Sequence, residues 1–474
     1  MAGKADKTTL ALYFGNRGFF PASLMSSARE ELSRVLKGLG HEVLMLDAGA
    51  TRHGAVETPA EGAVYAKFLK ENQGKFGGVI LSLPNFGDET GAVAALKDAG
   101  VPILIQAYPD EMDKMAPELR RDSFCGKFSI MDVFYQNLIP FTALKPHTVA
   151  PSSKTFAAQV DYFDRVCRVV KAMDSMIVGA IGARTSAFKT VRIDELALQQ
   201  NGITMETFDL SQVFAMMNAV SENDAAYKDK AAFLKGYSDF SPVPQDSFVK
   251  LVKMGVALDK IIEENKLDAV AIRCWLEMQQ QLGISACVLL SEMNERYVTA
   301  ACEVDVGNAV AMYALSQASG EVASCLDWNN NYGDEDDKCI LFHCGPVPQS
   351  MMTAKGRVVG HAILDNVPEI TSSFGCNVGR IKPSPFTFSS MMTDSGDLKF
   401  YVGEGKFTAD PIPQDFFGCA GVAEIEGLQD VLLHVGREGH RHHVSVTPAY
   451  VAAPVREALE YYLEFDVTAP QEEM

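Results

Sequence analysis

With 474 residues, the chain exceeds the ~250–300 residues at which one hydrophobic core stops growing, so two or three domains are expected. Hydrophobic residues at 47% and charged residues at 22% describe an ordinary globular protein that folds without cross-links. Lys and Arg total 42 against 61 Asp and Glu, and the formal charge of -19 excludes a dedicated nucleic-acid or anionic-membrane binder, both of which need basic surface.

The opening MAGKADKTTLALYFGNRGFF holds no apolar stretch of signal-peptide length, and no later segment approaches ~18 uncharged apolar residues. A cytoplasmic location is expected. Ten cysteines occur with no CxxC pair, which in a reducing compartment reads as free thiols filling the core.

The run Thr8 to Phe14, a helical pattern from Leu24 to Leu39 and the run Glu42 to Leu46 make a strand, helix, strand unit of the kind that builds a parallel sheet. Val79 to Leu83 and Val101 to Gln106 extend it, and apolar residues from Phe156 to Val170 recur at helical spacing. A new sheet begins at Met176 to Ile181, continues with Ile203 to Phe208 and includes Leu267 to Ile272. Beyond about residue 350 the texture becomes short β-like runs, Phe386 to Met392, Leu398 to Gly403 and Val431 to Val435, and the chain closes with a helix from Pro454 to Leu463. The expected fold class is α/β, with two doubly wound parallel-sheet domains (1–170 and 171–350) and a mainly β C-terminal domain (351–474).

Three clusters in the second half carry chemistry. TAACEVDVGNA holds Glu303 and Asp305, SCLDWNNNYGDEDD holds Asp327, and GREGHRHHVSV holds His440, His442 and His443. Carboxylates and imidazoles are the donors of a Mn²⁺ or Mg²⁺ site with open positions. Taken singly, each has a plainer explanation: an acid at a strand end usually caps a turn or helix, and a His-rich hairpin usually lies at the surface. Asp305 reads as a helix cap. Lone histidines at 41, 53, 147, 361 and 434 read as surface or satisfied core groups.

The stretches VGAIGARTSAFKTVRIDELALQQNGI (178–203), LDAVAIRCWLEMQ (267–279), SEMNERYVTAACEVDVG (291–307), LDWNNNYGDEDDKCILFHCGPVP (326–348) and GHRHHVSVTPAY (439–450) together resemble the L-fucose isomerase family and, more distantly, L-arabinose isomerase. The resemblance implies a metal-dependent aldose–ketose isomerase of a hexose or pentose, working through an enediolate. It implies Glu303 and Asp327 as acid/base pair and ligands of Mn²⁺ (or Mg²⁺ or Co²⁺), with His443 as the third ligand and His442 as the fallback. His343, in FHCGP, lines the site on this reading.

Arg17, Arg184 and Arg192 each sit in a loop or first helical turn after an expected strand, where ligands of open α/β sheets bind, and their plainer reading is salt bridging. RRDSFCGKFS (120–129) resembles a family loop that reaches a neighbouring subunit's site. That implies roles for Arg121, Phe124 and Lys127 in closing the pocket and a homo-oligomer, often a hexamer in the family. GNRG and GAIGAR fall short of a full GxGxxG with its acidic partner, so no nucleotide cofactor is expected. The alternatives are an isomerase for an anionic hexose such as sulfoquinovose, given the loop arginines; a metal-dependent aldolase or epimerase; and a non-catalytic sugar-binding protein, which would need no metal acids.

Overall fold

The computed structural model describes residues 6–21 and 23–472, which form two compact units. Residues 6–171 with 461–463 make one, and 172–460 with 464–472 the other.

In the first unit, β1 (Leu10–Phe14), β2 (Val43–Met45), β3 (Gly78–Leu83) and β4 (Ile103–Ala107) pair in parallel in the order β2-β1-β3-β4. The apolar run of β1 is continuous because both its faces are covered. Leu10, Leu12 and Phe14 join one core with Ile80 and Leu104, whereas Ala11 and Tyr13 join another with Val79, Leu81 and Ile103.

The second unit opens with β5 (Ile177–Ile181), β6 (Thr204–Phe208), β7 (Ala269–Ile272) and β8 (Thr299–Ala301), again parallel, in the order β6-β5-β7-β8. The rest is β9 (Ser324–Asn331), β10 (Lys338–His343), β11 (Arg357–Val359), β12 (Cys376–Arg380), β13 (Ser384–Asp394), β14 (Asp397–Phe407), β15 (Cys419–Glu424), β16 (His443–Thr447) and β17 (Asp466–Thr468). These form one sheet in the order β11-β12-β15-β10-β9-β16-β13-β14-β17. A further pairing of β14 with β15 closes its six central strands into a barrel. Leu326, Leu341, Phe386, Phe388, Tyr401, Phe407, Val444 and Val446 pack together as its filling.

The two parallel-sheet regions and the mainly β C-terminal region expected from sequence are present. Two local readings change. Residues 324–343, grouped by sequence with the central sheet, pair into the third sheet, because β9 bonds β16 from more than a hundred residues onward. The run Val431 to Val435, expected as a strand, lies within a helix, Leu428–Arg437. Leu428, Val431 and Val435 are its buried residues, and their spacing of three and four is the helical period that a five-residue window hides. The helix Lys154–Met173 and the closing helix from Ala452 follow the sequence pattern. None of the described helices is long and apolar enough to cross a membrane.

Candidate metal centre

The site is built where β8 ends and the barrel begins. Small residues carry β8 to Cys302, after which Glu303 and Val304 both adopt left-handed backbone conformations, with φ of 54° and 60°. Such a conformation in a β-branched residue stores on the order of 1–3 kcal/mol. The kink turns the Glu303 side chain into the protein and starts the helix Val306–Ser319, whose first turn is capped by Asp305 accepting from the Asn308 N–H at 3.1 Å. The sequence reading of Asp305 as a cap is borne out.

The barrel contributes the facing groups. Asp327 in β9 and His443 at the start of β16 are direct cross-strand partners, so their side chains leave the same face side by side. His443 Nε2 lies 3.4 Å from Asp327 Oδ1 and 3.4 Å from Glu303 Oε2. His343, the last residue of β10, brings its Nε2 to 3.4 Å from Glu303 Oε2. Thus Glu303 and Asp327 flank one imidazole nitrogen of His443, and His343 joins them through Glu303, four residues scattered over 140 positions of sequence. His442 stands at the rim, half exposed, with Nε2 3.7 Å from Asp327 Oδ1.

The two buried histidines differ in tautomer. His443 Nδ1–H donates to Asp305 Oδ2 at 2.8 Å, which leaves the Nε2 lone pair free to bind a metal. Asp305 is itself fixed by Arg441, whose guanidinium donates to Oδ1, and by the Asn308 amide at 2.7 Å. In His343 the Cys344 backbone N–H donates to Nδ1 at 2.8 Å, so the neutral ring carries its proton on Nε2, toward Glu303.

Charge follows from these contacts. Burial alone would raise Glu303, but the His343 and His443 imidazoles and the Cys274 thiol hold it at about 2, an ionised carboxylate at neutral pH. Burial is likewise outweighed at Asp305, which Arg441 and His443 keep well below the usual carboxylate range. Burial lowers His343, yet Glu303 and Asp327 pull it up to about 9; the Cys344 amide proton opposes a second ring proton at Nδ1. His443 is raised despite its burial by its bond to Asp305, and His442 is lowered by burial and by the neighbouring His443.

These residues suit a divalent cation. Glu303 Oε2 and Asp327 Oδ1 are buried acceptors that no hydrogen bond reaches. His443 Nε2, 3.4 Å from an oxygen of each carboxylate, is spaced from either one as neighbouring ligands of an ion at about 2.1 Å are, and a set of carboxylate and imidazole suits Mn²⁺ or Mg²⁺; Glu303 and Asp327 fall in separate groupings that meet at His443. Among the described residues, two groupings bring three donors within 4.8 Å, Glu303 with His343 and His443, and Asp327 with His442 and His443; they share His443, and the proton on His343 Nε2 makes that ring a hydrogen-bond donor rather than a ligand in the first.

The arginines expected near the site are engaged locally. Arg184 donates to the Thr185 carbonyl at 2.9 Å and Arg192 to the Lys189 carbonyl at 2.9 Å. Arg17, Arg121, Phe124 and Lys127 belong to the first unit. There Arg17 pairs with Glu89 and Arg121 donates to the Pro84 carbonyl. Phe124 is exposed beside His147, and Lys127 is buried with Nζ on the His147 carbonyl at 3.0 Å.

Sequence reasoning missed Arg441, Cys274 and His361. Arg441 sits between the histidines of GHRHH, where only the fold reveals that it faces Asp305. Cys274, in AIRCW, donates to Glu303 Oε1 at 3.4 Å, and burial pushes its thiol up to about 12. His361, read as surface or satisfied core, is buried against Trp275 and Phe417 with no hydrogen bond to either ring nitrogen.

Comparison with known proteins decides the family. Residues 11–174 match the model of the fucose/sulfoquinovose isomerase N-terminal domain, and residues 341–469 that of the L-fucose isomerase C-terminal domain. The chain belongs to the L-fucose isomerase family. It is similar to the sulfoquinovose isomerase of Alkalicoccus urumqiensis, 23% identical over 396 residues, which span 82% of this chain and 85% of that protein. The sulfoquinovose isomerase of Priestia aryabhattai is 23% identical over 383 residues, 79% of this chain and 82% of the relative. That of Clostridium sp. (strain MSTE9) is 26% identical over 232 residues, 48% and 51% of the two chains. As a member of this family the chain is an aldose–ketose isomerase.

Proposed function

We propose that the chain isomerises an aldohexose carrying an anionic group, with sulfoquinovose the leading candidate, at a divalent-metal centre held by Glu303, Asp327 and His443. What supports the chemistry is the single imidazole nitrogen, His443 Nε2, standing 3.4 Å from an oxygen of each carboxylate while Asp305 holds the ring's other nitrogen. What supports the sugar is that relatives matching about four fifths of the chain carry the name sulfoquinovose isomerase.

Converting an aldose to its ketose moves a proton from C2 to C1 and leaves negative charge on oxygen in between. A Mn²⁺, Mg²⁺ or Co²⁺ ion bound here supplies Lewis-acid stabilisation of that charge. Glu303 and Asp327 divide removal and return of the carbon-bound proton, a carboxylate acting as a base and, once protonated, as an acid. His343, with its proton on Nε2, donates toward Glu303 and toward a sugar oxygen bound beside it. His443 acts as ligand, kept in the ligand tautomer by Asp305. No nucleotide has a part in a reaction without net redox change.

We further propose that the protein works in the cytoplasm as a homo-oligomer, a hexamer in the first instance. Ten free thiols support a reducing compartment. The exposed apolar side chains Phe124, Phe128 and Tyr135 along one helix, with Leu138 just beyond its end, support a protein contact there. Light scattering that returned a monomer would refute the oligomer.

The decisive experiment strips the enzyme with EDTA, verifies metal loss by elemental analysis, and assays sulfoquinovose, L-fucose and D-arabinose before and after Mn²⁺ is restored. Activity that vanishes and returns supports the centre, and full activity without metal sinks it. NMR in deuterated water then separates isomerisation from aldol cleavage or epimerisation, because an isomerase gives a ketose labelled at the exchanging carbon.

A further inference from the structure

The Glu303 carboxylate has two faces. While Oε2 looks toward the histidines, Oε1 accepts from the Cys274 thiol at 3.4 Å, and Cys274 Sγ lies 2.9 Å from Cys302 Sγ. Cys274, Cys302 and Glu303 offer three buried donor atoms within 4.8 Å of one another. The topology causes this. Cys302 directly follows β8 and Cys274 lies two residues beyond β7, its parallel neighbour, so both thiols are delivered to the same end of the sheet as Glu303. The thiols continue beyond this group: Cys302 also bonds to Cys287, whose sulfur lies 3.9 Å from that of Cys376.

Isolated buried cysteines are ordinary core filling. Two adjacent thiols in contact with an ionised carboxylate are a ligand set, and a different one from its neighbour. Oxygen-seeking Mn²⁺ and Mg²⁺ gain little from sulfur, whereas Zn²⁺, Cd²⁺ and Cu⁺ bind thiolates strongly. We propose that Cys274, Cys302 and Glu303 Oε1 form a second cation site, selective for thiophilic d¹⁰ ions such as Zn²⁺ and Cd²⁺, whose occupation inhibits the enzyme by drawing Glu303 away from the catalytic centre. Binding exchanges two S–H bonds for two metal–sulfur bonds, releases two protons to solvent and changes no oxidation state. The site itself stands on the thiols; its inhibitory effect rests on the role proposed above for Glu303.

Cd²⁺ titrated into the Mn²⁺-loaded enzyme tests both halves, by the ultraviolet thiolate-to-cadmium absorbance and by isomerase activity relative to each variant's own activity without Cd²⁺. The wild type is expected to show the band at a single equivalent and to lose activity in step. In Cys302→Ser or Cys274→Ser the band falls to about half or less, and the Cd²⁺ needed for half-inhibition rises about tenfold or more. Cys325→Ser, at the thiol of a separate group with Asp305 and His443, and Cys125→Ser, at an exposed thiol, leave the band intact. Circular dichroism checks folding, and Cys302→Ala replaces the serine variant if that apolar setting rejects a hydroxyl.

A band that persists in both Cys302→Ser and Cys274→Ser, or that follows Cys325, overturns the site. Inhibition unchanged in a variant that has lost the band overturns the inhibitory mechanism and assigns the effect to displacement of Mn²⁺ beside His443. A band that depends on these two cysteines in a protein with no isomerase activity upholds the site and refutes the proposed function instead.

Discussion

Replacing Asp305 by Asn alters the chemistry of one group at almost constant volume. The Asp305 carboxylate accepts from Arg441 and the Asn308 N–H on Oδ1, and from His443 Nδ1–H and the Asn308 amide on Oδ2. An amide offers one oxygen. Kept toward Arg441 and the helix start, it presents its NH₂ to His443 Nδ1 and drives the ring to the Nε2–H tautomer, removing the lone pair aimed between Glu303 and Asp327. Losing such an orienting carboxylate weakens metal binding about 10–100-fold, which corresponds to about 1.4–2.8 kcal/mol. Arg441, buried at 3% exposure, also loses the anion it pairs with. Leaving a buried charge uncompensated costs on the order of 3–5 kcal/mol of stability. Urea unfolding of the metal-free proteins reads the second effect. Titration with Mn²⁺, followed by the resonance of the free ion at a temperature where both proteins are folded, reads the first. A variant that loses stability but binds Mn²⁺ as tightly as the parent would refute the orienting role.

Asp327→Asn and Glu303→Gln should each lower kcat about 10²–10⁴-fold with the fold intact, checked by steady-state rates at saturating Mn²⁺ beside circular dichroism. Gly126→Ala should destabilise the protein by about 1–3 kcal/mol or more in a urea melt, because the added Cβ would sit 2.0 Å from the Phe86 carbonyl oxygen, a backbone atom that cannot step aside. Burial pushes Lys127 down to about 8 from an ordinary 10.5. The unfolded chain therefore binds more protons between those values, and stability rises with pH across that window. Compared with Lys127→Met, the wild type should gain on the order of 3 kcal/mol from pH 8 to 10.5, and parallel stability curves would contradict the assignment.

Much of this molecule is written locally. The continuous apolar runs of β1, β3 and β7 read as strands covered on both faces, and the acid in the CEVD segment announces a helix cap through its position before a helical run. What escapes local reading is whatever depends on strands meeting across long separations. The period of three and four in LQDVLLHV is lost when only five residues are considered, and β9 and β10 look like a continuation of the preceding α/β pattern until β16 is found beside β9. The partnership of Asp305 with Arg441 and His443, and the contact of Cys274 with Cys302, join residues whose sequence spacing carries no signature. His361 is invisible for the same reason: nothing nearby in sequence tells that its ring nitrogens are buried without hydrogen bonds.

The main-chain pairing of His443 with Asp327 ties the spacing of two metal donors to a β-ladder rather than to a loop. The hairpin turn between β9 and β10 can therefore lengthen, shorten or change composition during evolution without disturbing the centre. A single-residue insertion inside β9 or β16 cannot, because side chains alternate faces and one donor would turn into the barrel's interior. The barrel thus works as a jig: it exempts its connecting turns from selection for metal geometry and concentrates that selection on the residue count of two short strands.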